Sequence, residues 1–212
     1  LAILNDRELV LPGLLSPRTR AIMPVHLFGS PIDMPRLMAF AREHKLAVIE
    51  DCAESHGARF NGTLTGAFGE LACFSFYANK VITSGEGGMV VTDDERLVER
   101  LRLLFDDGEW EEFPGRAADA HDGRDLARGL ARQVARWYPA RLPGKPGVQL
   151  PVEPAGTLHV HWMYAIVIHP EFGLSRDELA EHLHREGVET RTFFCPMSRQ
   201  PCLDGPELMR PV

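Results

Sequence analysis

The amino-acid sequence predicts an α/β fold, and three observations support this prediction. Residues 46–50 form a continuous apolar strand, which is typical of a strand that is buried on both faces of a sheet. A segment at helical spacing, 33–44, precedes it, and a short apolar strand, 21–28, comes earlier still. A strand, a helix and a strand within about 30 residues form a βαβ unit, so the two strands should be parallel.

The boundaries of these first elements have local causes. Gly29, Ser30 and Pro31 end the first strand, because glycine and proline interrupt regular structure. Asp33 is placed to cap the following helix with its side chain. The apolar side chains that mark the buried face of this helix are Leu37, Met38, Phe40 and Ala41.

Further strands are predicted at 71–76 and 88–92, and a charged helix is predicted at 93–105. The second half of the chain indicates a small α/β domain. There, Ser175 followed by Glu178 forms a capping-box pattern at the start of a helix that ends near Gly187. The strands expected in this half are 148–150, 159–169 and 188–194.

Composition divides the chain into three parts. Residues 109–146 are rich in Arg, Ala, Asp and Gly, and their apolar periodicity is weak until 126–137. We therefore expect part of a large domain at 1–108, an atypical connecting segment at 109–146, and part of a small carboxyl-terminal domain at 147–212.

Composition also limits the classes of partner. The 212 residues are 44% hydrophobic and 25% charged, with a net charge of −7, which does not favour binding to nucleic acid or an anionic membrane. The four cysteines have no Cys-x-x-Cys spacing and suggest thiols in a reducing cytoplasm. No apolar segment reaches the roughly 20 residues of a membrane span. Because the chain begins with Leu1 rather than Met, we expect it to be a fragment.

The most informative pattern is an aspartate after one buried strand and a serine and a lysine after the next. Asp51 ends the segment Val-Ile-Glu-Asp, and Ser75 and Lys80 lie in Phe-Ser-Phe-Tyr-Ala-Asn-Lys. Pyridoxal phosphate needs this set of groups: a lysine for the aldehyde, a carboxylate for the pyridinium nitrogen and a hydroxyl for the phosphate. Open α/β sheets bind ligands where parallel strands end. The sequence thus predicts a pyridoxal phosphate enzyme.

Around these residues the sequence resembles the nucleotide-sugar aminotransferases of the DegT/DnrJ/EryC1/StrS family. The resemblance implies a type I pyridoxal-phosphate-dependent aminotransferase fold, with part of the mixed sheet of the large domain and part of a small α/β domain. It also implies a homodimer that transfers an amino group from glutamate to a keto group of a nucleotide-activated sugar. The segments that carry it are 48–58, 66–70, 74–89, 159–164 and 187–191.

Residue roles follow from the resemblance by position. Lys80 would hold the cofactor as a Schiff base, Asp51 would contact the pyridinium nitrogen, and Ser75 would bind the phosphate. Glu54 would lie beside the cofactor ring, and Asn79 would be a further cofactor contact. Glutamate and asparagine at these two positions favour the perosamine-forming branch, whose substrate would be GDP-4-keto-6-deoxymannose.

Two alternatives remain open. One is a sugar dehydratase of the same fold, although relatives of that kind typically have histidine where this chain has Lys80. The other is a non-catalytic remnant on the same scaffold, because 109–146 lacks the family's Gly-x-Asn-x-Arg-Met segment.

For four other side chains, a role in packing or surface pairing has to be weighed against a role in function. His56 is expected to be a packing histidine. His159 and His161 alternate along an expected strand, but no third residue has metal-ligand spacing, so no metal is predicted. Arg191 could bind an anionic group of the substrate or simply pair with a glutamate.

Overall fold

The computed structural model describes residues 15–104, 125–142 and 144–194. Its main sheet has four strands in the order β1-β2-β5-β6. The first three strands are parallel and β6 is antiparallel to β5, so the sheet is mixed as expected. The strands are β1 (Ala21–Ile22), β2 (Ala47–Asp51), β5 (Leu71–Ser75) and β6 (Gly88–Val91).

Helix α1 (Met34–Glu43) joins β1 to β2, which confirms the predicted βαβ unit. The Asp33 side chain accepts a hydrogen bond from the Arg36 amide at 3.2 Å and thereby caps the helix, as the sequence predicts. The apolar face of α1 packs against β2, where burial of aliphatic side chains stabilises the unit. The buried members of this cluster are Ile32, Met34, Leu37, Ala41, Leu46 and Val48.

The first predicted strand, 21–28, is wrong in its length. Regular pairing stops at Ile22, and Val25 makes only an isolated bridge to Asp51 before Leu27–Gly29 turns as a short 3-10 helix. Pro24 has no amide hydrogen to donate to a ladder, although its carbonyl accepts from the Asp51 amide at 2.8 Å. This turn brings the backbone back over the end of β2.

An unpredicted hairpin follows β2. Strands β3 (Arg59–Phe60) and β4 (Thr63–Leu64) are joined by Asn61 and Gly62, with φ of 48° and 84°. Asn-Gly is the preferred pair for a two-residue hairpin turn, in which both residues have positive φ. The sequence therefore contained this signal. A later strand, β8 (Thr157–Leu158), pairs with β3 and ties the second half of the chain to the first.

Two helices follow the main sheet. Helix α2 (Glu95–Leu104) lies within the predicted 93–105, and the Asp94 carboxylate accepts from the Arg96 amide at its start. Helix α3 (Asp125–Arg141) covers the part of the connecting segment, 126–137, in which the sequence shows apolar periodicity. The domain boundaries proposed above remain a prediction.

The small-domain elements are only partly as predicted. Helix α4 (Arg176–Arg185) has the expected capping box of Ser175 and Glu178, and Gly187, whose φ is 79°, follows its last turn as expected. The expected strand at 159–169 forms only at Val167–Ile168, and its first part is wrong, because His161 has a φ of 51° and interrupts the extended backbone. The expected strand at 188–194 is also wrong, since no described strand pairs with it. The strands present here are β7 (Val148–Gln149), β8 and β9 (Val167–Ile168).

Within the described ranges, no helix has the length and apolar character that crossing a membrane requires.

Candidate active site

The register of β2 and β5 places the predicted aspartate and serine on one face of the main sheet. Asp51 is directly opposite Cys73, and Ser75 is two residues further along β5. Side chains alternate between the faces of a strand, so Asp51, Cys73 and Ser75 point to the same side. These three residues are half-buried, whereas Glu50 and Phe74, on the opposite face, are buried. The partly open face is therefore the one that carries two of the predicted cofactor contacts, Asp51 and Ser75.

Asp51 itself is held at the end of β2 by backbone and side-chain contacts. Its amide donates to the Pro24 carbonyl at 2.8 Å, and its Oδ1 accepts from the Ala53 amide at 3.0 Å. Burial raises the pKa of the neighbouring Cys73 thiol, and the charge of Asp51 raises it further. The carboxylate is thus a fixed acceptor on the open face.

Lys80 lies on the turn that follows β5, where it is half-buried. Its amide donates to the Tyr77 carbonyl at 2.9 Å, which closes the turn. Its ammonium nitrogen is 4.3 Å from the centroid of the Trp162 ring. The lysine is consequently held at both its backbone and its charged end.

The loop after Lys80 returns to the sheet through a glycine-rich segment. Gly85 and Gly87 have φ of 89° and 126°, values that glycine adopts readily and other residues rarely adopt. The Gly87 carbonyl accepts from the Phe76 amide at 2.9 Å, and Gly88 then pairs with Ser75 in the β5–β6 ladder. The Ser75 hydroxyl accepts from the Tyr77 amide at 3.4 Å. The loop therefore places glycine backbone next to Ser75.

Glu54 accepts a hydrogen bond from the turn Leu27–Gly29 and lies within electrostatic range of Lys80. It is only 9% exposed, and its Oε2 accepts from the Phe28 amide at 2.6 Å. Burial raises the pKa of Glu54; the Phe28 hydrogen bond and the charge of Lys80 oppose this effect, and the charge of Asp51 adds to it. Glu54 is therefore within electrostatic range of two other predicted site residues, Asp51 and Lys80.

Asn79 contributes through its backbone. Its side chain is exposed, and its carbonyl oxygen accepts a 2.7 Å hydrogen bond from Nε1 of Trp162. The proposed contact of the Asn79 side chain with the cofactor remains a prediction. Trp162, which contacts the lysine turn, is not among the site residues predicted from the sequence, although it lies inside the motif 159–164.

A buried cluster supports the site from the opposite face of the sheet. Glu50 accepts hydrogen bonds from Nε2 of His26 at 3.1 Å and from three backbone amides of the segment after β4. Nδ1 of His26 in turn accepts from the Ile32 amide at 3.3 Å. A glutamate within an otherwise apolar strand was a sequence signal for such a buried hydrogen-bond network. The amides that contact Glu50 belong to Gly66, Phe68 and Gly69.

Three side chains of the same region have atoms of the kind that bind metal ions. These atoms, one each from His26, Glu50 and Cys52, lie within 4.8 Å of one another. However, the Glu50 oxygens and both His26 nitrogens already take part in hydrogen bonds. Burial raises the pKa of Cys52, and the Glu50 charge raises it further, whereas a metal ligand needs the thiolate. The arrangement is that of a hydrogen-bonded core.

The remaining candidate side chains have packing or surface roles in the structure. His56 is buried against the rings of Phe74 and Phe76, at centroid distances of 5.5 and 5.6 Å. The rings of His159 and His161 stack at 3.9 Å. Arg191 has the second of its two expected roles, since its guanidinium is 3.4 Å from the exposed carboxylate of Glu189.

The residues at the ends of β2 and β5 and on the turn after β5 fit pyridoxal phosphate. They supply one amine at Lys80 for an aldehyde, one carboxylate at Asp51 for a ring nitrogen, and a hydroxyl at Ser75 beside glycine backbone for a phosphate. This combination on a mixed α/β sheet is typical of enzymes that use pyridoxal phosphate, a class that includes the aminotransferases.

The comparisons with known proteins agree with this class. The chain belongs to the DegT/DnrJ/EryC1/StrS aminotransferase family, whose family model matches residues 11–118 and 126–209. Members of this family are pyridoxal-phosphate-dependent sugar aminotransferases, so the family, the fold class and the cofactor predicted from the motifs are confirmed.

Two curated relatives illustrate the range of the family. The UDP-N-acetyl-3-dehydro-alpha-D-glucosamine 3-aminotransferase of Acidithiobacillus ferrooxidans is 39% identical over 204 residues, which are 85% of this chain and 52% of that protein. The GDP-perosamine synthase of Caulobacter vibrioides is 36% identical over 214 residues, with shares of 90% and 56%. The chain thus spans about half the length of the curated relatives it matches.

Solved structures show the same likeness. S. venezuelae DesV superposes with a TM-score of 0.73 at 35% identity, and the match covers 89% of this chain and 54% of DesV. The aminotransferase TlmJ from Streptoalloteichus hindustanus superposes with a TM-score of 0.74 at 27% identity, with shares of 89% and 56%.

Proposed function

We propose that this chain forms part of an aminotransferase that transfers the amino group of glutamate to the keto carbon of a nucleotide-activated 4-keto-6-deoxy sugar. Glutamate would leave as 2-oxoglutarate, and the product would be an amino sugar for a surface polysaccharide or O-antigen. The main support is the position of Lys80, which lies on the turn after β5 while Asp51 ends the neighbouring parallel strand.

Each side chain has a distinct part in this proposal. Bound pyridoxal phosphate would supply an aldehyde and a ring that withdraws electrons. Lys80 would attach the cofactor and, once released as a free amine, would move the proton at the reacting carbon of the substrate. Asp51 would keep a proton on the ring nitrogen, because a nearby anion favours the cationic form. Ser75 would donate a hydrogen bond to the phosphate, and Glu54 would lie at the ring.

For the sugar nucleotide we favour GDP-4-keto-6-deoxymannose. GDP-perosamine synthases from three organisms are 34–36% identical to this chain. Other relatives of similar identity act, by name, on UDP- and dTDP-linked sugars, so the nucleotide is the least constrained part of the proposal. A panel of GDP-, UDP- and dTDP-linked keto sugars, tested with glutamate and analysed for amino-sugar products, would decide between them.

We further propose that the complete enzyme is a homodimer and acts in the cytoplasm. Support for the compartment comes from Cys52 and Cys73, which are free thiols in the structure and would suit a reducing environment. The homodimer follows from the family resemblance, and sedimentation of the complete protein would test it.

Covalent trapping of the cofactor tests the central assignment. The chain has three lysines, Lys45, Lys80 and Lys145, so peptide mapping is unambiguous. After incubation with pyridoxal phosphate and reduction with borohydride, the cofactor should be found on the peptide that contains Lys80. Lys80→Arg is the matched control, because it keeps a cation at this position and should lose the label.

Lys45 and Lys145 are both exposed and serve as internal references for non-specific modification. Equal labelling of all three lysines, or labelling that persists in Lys80→Arg, would reject the assignment and favour a non-catalytic remnant.

A further inference from the structure

Trp162 makes two different contacts with the lysine turn, although it is 82 residues away from Lys80 in the sequence. Its Nε1 hydrogen is donated to the carbonyl oxygen of Asn79 at 2.7 Å. Its ring lies under the Lys80 ammonium, at 4.3 Å from nitrogen to centroid. One side chain therefore contacts both the backbone immediately before the lysine and the end of the lysine side chain.

The backbone around Trp162 is itself fixed to the first half of the chain. The Val160 amide donates to the Gly29 carbonyl at 3.0 Å, and the Trp162 amide donates to the Phe28 carbonyl at 3.1 Å. Between these two bonds, His161 takes its positive φ and redirects the chain. Both bonds are accepted by the turn Leu27–Gly29. The Phe28 amide of this turn also donates a hydrogen bond to Glu54. Trp162 is thus attached to the same support as the buried acid of the site.

The two contacts act on different properties of Lys80. The hydrogen bond to the Asn79 carbonyl restricts the backbone from which the lysine side chain extends. The indole face attracts a cation through its quadrupole and so favours one position of the ammonium when the amine is free. Both effects reduce the conformations open to a long side chain, which otherwise retains much rotamer freedom.

We propose that Trp162 is the positioning residue for Lys80, holding the free amine over its indole ring and the lysine turn through its Nε1 hydrogen. The two contacts of Trp162 are features of the structure and do not depend on the proposed function. Only their benefit to amino transfer rests on that function. In that setting, Trp162 keeps the amine within reach of the reacting carbon whenever it is not joined to the cofactor.

A purely structural role is the rival explanation. The Trp162 ring also stacks with Phe28 and Phe194, each at a centroid distance of 6.4 Å, so its loss could simply loosen packing. The experiment therefore measures Lys80 directly, in the cofactor-free chain. It also compares Trp162→Leu, which removes the ring and the donor, with Trp162→Phe, which keeps a ring and removes only the donor.

The first readout is the rate at which an amine-acylating reagent modifies Lys80 at fixed pH, relative to Lys45 and Lys145 in the same sample. In Trp162→Leu the relative rate should rise by about two- to fivefold, the size expected for loss of an exposed cation–π contact. Trp162→Phe should give a smaller rise, because its ring partly restores the contact. Trp137→Leu is the matched control, since Trp137 lies over Arg141, and it should leave the ratio unchanged.

The second readout is amide hydrogen exchange in a peptide that covers 76–82. Trp162→Phe removes the hydrogen bond to Asn79, so exchange in this peptide should become faster, while Trp137→Leu should not change it. This comparison remains decisive if Trp162→Leu fails to fold. An unchanged or slower labelling of Lys80 in Trp162→Leu, or unchanged exchange in Trp162→Phe, would overturn the proposal.

Failure of this inference can be told apart from failure of the proposed function. If borohydride does not trap pyridoxal phosphate on Lys80 in the unaltered chain, the proposed function fails, whatever Trp162 does. If trapping succeeds and the labelling and exchange of the Trp162 variants match those of the unaltered chain, only the positioning role is lost.

Discussion

Glu50 and His26 are both fully buried, and a 3.1 Å hydrogen bond joins Oε2 of the glutamate to Nε2 of the histidine. Because Nδ1 of His26 accepts from the Ile32 amide, the proton of the neutral ring lies on Nε2 and is donated to Glu50. Glu50 immediately precedes Asp51 in β2. The charged group that stabilises the core and the one assigned to the cofactor therefore lie on opposite faces of the same strand.

The first prediction is that Glu50→Gln strongly destabilises the fold. A carboxylate can accept from all four of its donors, whereas an amide places an NH₂ group against some of them. Leaving buried donors without an acceptor, and losing a buried charge that they solvate, should cost about 3–5 kcal/mol. Urea unfolding of the variant and the unaltered chain measures this difference in the free energy of unfolding.

The exposed Glu43 supplies the control, and Glu43→Gln should change stability by less than about 0.5 kcal/mol.

Burial acts to raise the pKa of Glu50, but hydrogen bonds from His26 and the backbone outweigh burial and lower it below 4.5. The stabilisation from a lowered carboxyl pKa is present above the unfolded value and declines as the pH falls below it. A variant as stable as the unaltered chain at neutral pH would contradict this account.

The second prediction concerns the charge of Asp51. Asp51→Asn keeps an oxygen that can accept from the Ala53 amide, so the fold should be retained. Without the charge of Asp51 the ring nitrogen of the cofactor should be protonated less readily, so the ring should withdraw electrons less strongly. We therefore expect kcat to fall by about tenfold or more, with a smaller change in KM. Steady-state kinetics of amino transfer by the complete enzyme measures both constants.

Asp33→Asn is the matched control, because asparagine also caps a helix and Asp33 lies on the surface at the start of α1. It should leave kcat unchanged. An equal kcat for Asp51→Asn and the unaltered enzyme would remove Asp51 from the catalytic set.

The sequence predicted those parts of the fold that depend on local signals. The apolar run before Asp51, the capping residue Asp33 and the capping box at Ser175 each correspond to an element in the structure. The errors concern segments whose conformation depends on contacts far along the chain. The expected strand at 159–169 is interrupted at His161, where the backbone turns to hydrogen-bond with the turn Leu27–Gly29.

The candidate site shows the same division. The motifs indicated Asp51, Ser75 and Lys80, and the register of the sheet places the first two on one face. Trp162 could not be assigned from spacing, because its contacts with Asn79 and Lys80 cross 83 and 82 positions of sequence. Only tertiary packing brings these groups together.

The third prediction concerns an ion pair that attaches α3 to the second half of the chain. Nη1 of Arg132 is 2.7 Å from Oε1 of Glu153, and the two side chains are 21% and 33% exposed. Glu153 also accepts from the His159 amide at 2.8 Å. A double-mutant cycle with Arg132→Gln and Glu153→Gln should give a coupling energy of about 1–2 kcal/mol in urea unfolding.

The comparison pair for that cycle is Arg191 and Glu189, whose side chains are 73% and 80% exposed. Exposed pairs contribute about 0–1 kcal/mol, so the coupling here should be near zero. Equal coupling for the two pairs would show that Arg132 and Glu153 do not hold α3 in place.

The fourth prediction is that the chain loses stability in mild acid through His159. The pKa of His159 is lowered to about 3, mainly by burial; the charges of His161 and Arg132 also lower it, and Glu153 opposes them. The unfolded histidine titrates near 6.5, so the native state binds fewer protons than the unfolded state below that pH. The free energy of unfolding should therefore fall as the pH decreases from about 6.5, by up to about 1.4 kcal/mol per pH unit.

The variant His159→Asn isolates this effect from the other histidines. Its amide oxygen can accept from the His161 amide, as Nδ1 of His159 does at 2.8 Å, but it carries no proton that titrates in this range. Between about pH 7 and pH 5, the stability of this variant should depend less on pH than that of the unaltered chain. His184→Gln, at an exposed position of α4, should keep the original dependence. Parallel pH profiles for His159→Asn and the unaltered chain would mean that His159 is not the acid-sensitive group.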